Sequence, residues 1–202
     1  MDSSAWDDRY AASELVWGTE PNRWVVRELA GLAPGTALDL AAGEGRNSMW
    51  LADRGWEVTG LDFSTVALGR AERLTAALPD EVADRLTWRH GDARAFEAPP
   101  EGYDLVLVAY LQLPAEDRRA ALRRAAESLA PGGTLLVVGH DSANLAEGVG
   151  GPQDPAVLFT PDDVLADLAG SGLRTVRAER VRRPAGEAEA VDALVRLERA
   201  TN

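Results

Sequence analysis

Three aspartates follow short apolar runs at comparable places in the chain. Asp39 lies within Thr36-Ala-Leu-Asp-Leu-Ala41, Asp62 ends Trp56-Glu-Val-Thr-Gly-Leu-Asp62, and Asp92 follows residues 86–90 in Gly91-Asp92-Ala93. Runs of this kind read as strands of a parallel sheet, and in open α/β sheets ligands bind beyond the carboxyl ends of the strands. Each aspartate by itself reads equally well as a turn former. Acids at the tips of three successive strands form a crevice that favours a cation and accepts hydrogen bonds from hydroxyl and amino groups.

Between the first two strands runs Asp39-Leu-Ala-Ala-Gly43-Glu-Gly45-Arg-Asn47. Glycines at such a bend let backbone approach a ligand, because no Cβ intervenes. A dinucleotide loop follows Gly-x-Gly with a third glycine three residues on, and here that place holds Ser48. Asp39 would also face a pyrophosphate unfavourably, whereas it suits a nucleoside with ammonium and sulfonium groups, such as S-adenosyl-L-methionine. On that reading Asp62 accepts the ribose hydroxyls and Asp92 the adenine exocyclic amine. An NAD-type oxidoreductase is the competing reading, and Ser48 and Asp39 both weigh against it.

A transferred group would meet its acceptor near the ends of strands four and five, where Tyr110, Gln112, His140, Asp141 and Asn144 lie. His140 reads as a general base or substrate-orienting donor, or else as a strand cap bonded to a backbone carbonyl. His90, the other histidine, reads as structural. Arg23 and Arg46 could hold a carboxylate or simply solvate a helix. Displacement at a sulfonium can proceed on proximity and alignment, so a base is not obligatory.

Composition removes other chemistries. The 202 residues contain no cysteine, which excludes disulfides, thiolate metal sites and cysteine nucleophiles. All 21 basic residues are arginine, so no lysine is present for a Schiff base or a phosphate loop. The net charge of −12 disfavours a nucleic-acid partner, and the densest basic stretch (Arg174, Arg177, Arg180, Arg182, Arg183) is followed by Glu187, Glu189 and Asp192. No His-rich metal spacing is present. No membrane span or signal peptide is legible, and a cytoplasmic protein is expected.

These residues need a scaffold, and the chain reads as one α/β domain over 1–202. Residues 1–35 form an aromatic preface with Trp6, Tyr10, Trp17 and Trp24, in which Tyr10 and Trp17 could cover a sulfonium or serve as packing anchors. The core, 36–202, has strands expected at 36–41, 56–62, 86–90, 103–109 and 134–139, with helices between them at 46–54, from an N-cap at Ser64 to about residue 78, and at 116–129. A helix opens at Thr160-Pro161, preceded by a Gly/Pro-rich loop, 140–158, that is a flap or a plain connection. Residues 173–182 and 191–198 read as an antiparallel hairpin at one sheet edge.

Trp17-Gly-Thr-Glu-Pro-Asn22, Leu38-Asp-Leu-Ala-Ala-Gly-Glu-Gly-Arg-Asn47, Gly55-Trp-Glu-Val-Thr-Gly-Leu-Asp-Phe-Ser64 and Leu129-Ala-Pro-Gly-Gly-Thr-Leu135 together resemble the Rossmann-like S-adenosylmethionine-dependent methyltransferases. The similarity extends to the small bacterial tellurite-resistance-like and thiopurine-methyltransferase-like group. It implies a doubly wound, mostly parallel seven-stranded sheet of order 3-2-1-4-5-7-6 with the last strand antiparallel. It also implies methyl transfer to a small-molecule acceptor by a monomer or homodimer, with no metal. A non-catalytic cofactor-binding module would carry the same motifs. Departures are Ala41, where a glycine is commoner, and Ala42, where the group often has cysteine. The cofactor contacts so expected are Asp39, Ala41, Gly43, Gly45 and Asn47 in the first loop, then Asp62, Phe63 and Ser64. Asp92, Ala93 and Ala109 follow at later strand ends, with Trp17 and Arg23 from the preface. Catalytic candidates are His140 and Tyr110.

Overall fold

The computed structural model describes residues 18–201. Trp6, Tyr10 and Trp17 lie outside that span, and so does the covering role considered for Tyr10 and Trp17. The chain divides into two compact units, the first ending at Phe96 and the second starting at Glu97.

The first unit opens with helix α1 (Arg23–Leu29), whose N-cap Asn22 accepts from the Trp24 and Val25 amides. Trp24 is buried and so packs as an anchor. Strands β1 (Thr36–Leu40), β2 (Glu57–Asp62) and β3 (Leu86–His90) are parallel, in the order β3-β2-β1. Between them lie α2 (Arg46–Asp53), α3 (Thr65–Thr75) and the one-turn α4 (Asp80–Ala83). Ser64 caps α3 by accepting from the Ala67 amide, as its position before the helix led us to expect. Leu38, Leu40, Leu51 and Leu61 are fully buried, so the continuous apolar reading of β1 and β2 reflects strands covered on both faces.

The second unit holds β4 (Tyr103–Ala109), α5 (Ala115–Glu127), β5 (Leu129–His140), α6 (Asn144–Glu147), α7 (Pro161–Asp167), β6 (Leu173–Ala185) and β7 (Ala188–Arg199). Its order is β4-β5-β7-β6. β4 and β5 are parallel, and β7 runs antiparallel to both β5 and β6. The two units therefore carry the 3-2-1 and 4-5-7-6 parts of the expected order. α7 has the full capping box, with Thr160 and Asp163 bonding each other's backbone amides and Pro161 in the first turn.

Two expectations about elements need correction. β5 begins at Leu129 rather than Thr134, because Tyr103 pairs with Leu129 before the ladder shifts to Leu105–Thr134; Pro131-Gly132-Gly133 is absorbed as an irregularity in the strand and does not start it. The hairpin arms run longer than expected, to Ala185 and from Ala188. Edge strand β6 is largely exposed, and its arginines face carboxylates: Arg174–Glu198, Arg177–Glu179, Arg180–Asp141, Arg182–Glu147 and Arg183–Asp192. Charged side chains on an edge strand disfavour edge-to-edge pairing.

Candidate functional site

At the tips of β1 and β2 two carboxylates lie on the same sheet face. Asp39 pairs in register with Gly60, and Asp62 is two residues beyond Gly60. Both are buried, Asp39 to 1% and Asp62 to 4% exposure. Asp39 accepts a hydrogen bond from the Ser48 hydroxyl at 2.7 Å, from the first turn of α2. Burial pushes the Asp39 carboxyl up to about 6; the neighbouring Asp62 adds to the rise, while the Ser48 bond and Arg46 oppose it.

Asp62 organises the surrounding loops. Its Oδ2 accepts from the Gly43 amide and its Oδ1 from the Ser64 amide, each at 2.8 Å. Its backbone carbonyl accepts from the Gly91 amide at 2.9 Å. The glycine bend, the start of α3 and the turn before Asp92 thus meet at one residue.

The bend is shaped by left-handed residues, Ala41 (φ 64), Gly43 (φ 58) and Gly45 (φ 83). The alanine at 41 therefore adopts the conformation in which glycine is commoner, at a cost of about 1 kcal/mol. Gly45 also meets a packing requirement within the protein. A Cβ there would lie 2.2 Å from Cη2 of Trp88, and one on Gly60 would lie 2.3 Å from Cζ3 of the same ring. Trp88 thus lies over β2 and under the bend, with its Nε1 donating to the Thr75 hydroxyl of α3 at 3.1 Å. Glu44, between the two glycines, is buried and bonds Arg70 of α3 at 2.7 Å.

Other expected contacts have assignments of their own. The Asn47 side-chain oxygen accepts from the Asn22 amide at 2.8 Å, which ties α2 to the start of α1. Asp92 is turned into a fork with Arg94, with bonds of 3.0 Å from Nε and 2.6 Å from Nη2, and this holds its carboxyl below the ordinary value. Arg23 is exposed, its guanidinium 5.5 Å from the Trp24 ring centroid. Phe63 offers its carbonyl to Nε2 of His90 at 3.1 Å, which suits a structural His90. Ala93 lies in the turn after Asp92, partly exposed.

In the second unit a polar cluster forms where β4 and β5 end. Ala109 closes β4, and Tyr110 follows with φ 59. His140 closes β5 opposite Asp192 of β7. The Tyr110 hydroxyl donates to Asp192 Oδ2 at 2.9 Å, and Arg183 Nε donates to the same oxygen at 2.8 Å. Neither His140 ring nitrogen bonds a backbone carbonyl among the described residues, so the strand-cap alternative finds no partner there. Gln112 accepts from the His140 amide and donates to the Val157 carbonyl. Asn144 accepts from the Val191 amide and donates to the Gly150 carbonyl, tying the 140–158 loop to β7.

Sequence reasoning did not single out Trp88, Glu44 or Arg70, and it treated Arg183 and Asp192 only as local charge. Trp88 carried one faint signal: an aromatic in the middle of its strand, beside β2, which contains Gly60. The others are brought to their partners by tertiary packing alone. Among the described residues no group of acids and histidines is arranged to hold a metal ion, and no helix is long and apolar enough to cross a membrane.

Comparison with known proteins adds four findings. Residues 37–133 match a family described as "Methyltransferase domain". A thiopurine S-methyltransferase from Vibrio cholerae is 30% identical over 156 residues, covering 69% of this chain and 71% of the relative. An uncharacterized methyltransferase from Mycobacterium tuberculosis is 34% identical over 112 residues, 55% of this chain; the chain spans 54% of that relative's length. Among solved structures, the glycopeptide N-methyltransferase MtfA complexed with (S)-adenosyl-L-methionine is 25% identical with a TM-score of 0.66, over 94% of this chain and 100% of that one.

Proposed function

This chain belongs to the Rossmann-like S-adenosylmethionine-dependent methyltransferases, and on that premise we propose that it binds S-adenosylmethionine at the glycine bend and methylates a small molecule. The observation that carries the reading is the pair of buried carboxylates, Asp39 and Asp62, at the tips of adjacent strands. Two like charges out of water are costly, as the raised Asp39 shows, and a ligand bringing ammonium and sulfonium charge relieves that cost. A pyrophosphate would increase it.

In this reading Asp39 faces the cationic methionine portion, Asp62 takes the ribose hydroxyls, and the bend from Ala41 through Gly45 supplies backbone. Phe63, Ser64, Asp92 and Ala93 flank the nucleoside, Ala109 adds a contact, and His140 accepts a proton from the substrate with Tyr110 beside it. When bound, the cofactor supplies a methyl group activated by a positively charged sulfur. The thiopurine relative supports a small acceptor. The carboxylates facing the β6 arginines neutralise the stretch that a phosphate backbone would need, which supports a chain without a nucleic-acid partner. We read it as cytoplasmic.

Calorimetry with S-adenosylmethionine, S-adenosylhomocysteine and NAD tests the cofactor. We expect micromolar binding of the first two and none of NAD; tight NAD binding alone ends the reading. Asp62→Ala should weaken S-adenosylmethionine at least about tenfold, roughly 1.4 kcal/mol. A methyl-transfer screen over thiols, selenite, tellurite, phenols and amines separates an enzyme from a binding module.

A further inference from the structure

Asp192 and His140 are ladder partners, and Asp192 Oδ1 faces the imidazole Nδ1 at 3.5 Å. That nitrogen is buried and makes no hydrogen bond among the described residues. Asp192 is fully buried, and its other oxygen receives both the Tyr110 hydroxyl and the Arg183 guanidinium. The imidazole is bounded by the Tyr110 ring, at 4.9 Å between centroids, and by Gly151, where a Cβ would lie 2.9 Å from three ring atoms. Tyr110 holds a left-handed backbone, φ 59, that favours glycine. A tyrosine kept there needs its surroundings to fix it, and the bonds to Asp192 and Arg183 do so.

We propose that Asp192 is a positioning residue that holds His140 as its Nδ1–H tautomer, so that Nε2 is the proton-accepting atom, and that the methyl acceptor carries an O–H or N–H nucleophile. The acceptor half rests on the methyltransferase reading; the tautomer does not. A neutral imidazole has one donor and one acceptor nitrogen. A lone pair on Nδ1 facing a buried carboxylate would be repelled, whereas an N–H there is attracted and needs only a small movement to close a bond. Separations of this kind often tighten once substrate binds. The charged and titratable groups facing the ring are Asp192 from β7, Arg183 from β6 and Tyr110 after β4. Burial, the largest influence, and Arg183 both favour the neutral ring; Asp192 opposes them, and the balance lies below the usual histidine value. Near pH 7 the ring is therefore neutral, with a free pair on Nε2.

In the step itself, Nε2 takes the proton of X–H. The X–H electron pair stays on X and forms the bond to the transferred methyl; the methyl's bond to the cofactor sulfur would break, its electron pair returning to that sulfur to leave a neutral thioether, while Asp192 stabilises the imidazolium. A thiolate or selenide already carries its electron pair and gains nothing from such a base.

Ring-nitrogen NMR of the ligand-free protein reads the tautomer directly. Only two histidines are present, and the spectrum of His90→Gln identifies His140. We expect a protonated Nδ1 and a bare Nε2 at pH 7.5. Asp192→Asn should lower the His140 pKa further and raise the Nε2–H population, and Arg183→Gln should raise the pKa. An Nε2–H tautomer in the parent protein, or a His140 pKa unmoved or raised by Asp192→Asn, overturns the positioning role. If Asp192→Asn fails to fold, the parent tautomer alone decides. Turnover confined to thiols and insensitive to His140→Gln overturns the acceptor class. Failure to bind S-adenosylmethionine would instead sink the methyltransferase reading and leave the tautomer assignment standing.

Discussion

Trp88 occupies the space that a side chain at Gly45 would need, its Cη2 lying 2.2 Å from where that Cβ would sit. An indole on the third strand thereby shapes the bend that follows the first. The glycine is required by the protein's own packing before any ligand arrives.

Gly45→Ala should therefore destabilise through two separate effects: the clash with Trp88 and the left-handed φ of 83. Overpacking costs about 1–3 kcal/mol and the backbone about 1 kcal/mol more. Urea unfolding of Gly45→Ala, Trp88→Leu and the double variant checks this. The double variant should be more stable than the sum of the singles by at least about 1 kcal/mol, leaving only the backbone cost. Additive effects would mean that the ring and the bend are not coupled.

Asp39 gives a pH signature with a defined sign. Its folded pKa is raised from 3.8 to about 6, so the folded state holds this proton more tightly than the unfolded chain does. Its stabilising contribution is fully present below about pH 3.8 and is lost as pH rises to about 6, at a cost of about 3 kcal/mol at neutral pH. Asp39→Asn should be more stable than the parent at pH 8, gain little at pH 4, and bind S-adenosylmethionine at least tenfold more weakly. Parent affinity should fall as pH drops through about 6 and the carboxylate is protonated. Equal stability of parent and variant at pH 8 would contradict the burial account.

The Glu44–Arg70 bond pins the bend to α3. Glu44→Gln keeps the shape and removes the charge, at a cost of about 1–3 kcal/mol for a charge-assisted bond with little exposure. Calorimetry should show S-adenosylmethionine bound several-fold more weakly, with the loss in entropy as a looser bend is ordered. Unchanged affinity would make the pair a stabiliser only.

Asp167, buried in α7, receives Arg118 at 2.7 Å and Arg119 at 3.1 Å, both from α5. Removing one partner of a buried ion pair strands the other charge. Asp167→Ala should cost about 3 kcal/mol, read as a lower denaturant midpoint. A loss under about 0.5 kcal/mol would show that water already compensates Arg118.

Much of this molecule was legible along the chain. The alternation of apolar runs and amphipathic stretches marked seven strands, because buried parallel strands and one-faced helices have different periods. Local chemistry marked Ser64 and Thr160 as caps, since a hydroxyl before a helix satisfies amides within three residues of it. The glycine bend and the strand-tip acids were visible for the same reason: their spacing follows from the strands that carry them. The relations that tune those groups were not, because each joins residues far apart in sequence. Asp62 meets Gly43 across 19 residues, Trp88 meets Gly45 across three strands, and Tyr110 meets Asp192 across 82. No local pattern encodes such distances; register and packing set them. Residue type and periodicity thus determined the elements and which groups stand at their tips, whereas the tertiary structure decided what each group faces and how much water remains around it. Protonation and positioning depend on those surroundings, so the chemistry of Asp39 and His140 became definite only in the folded chain.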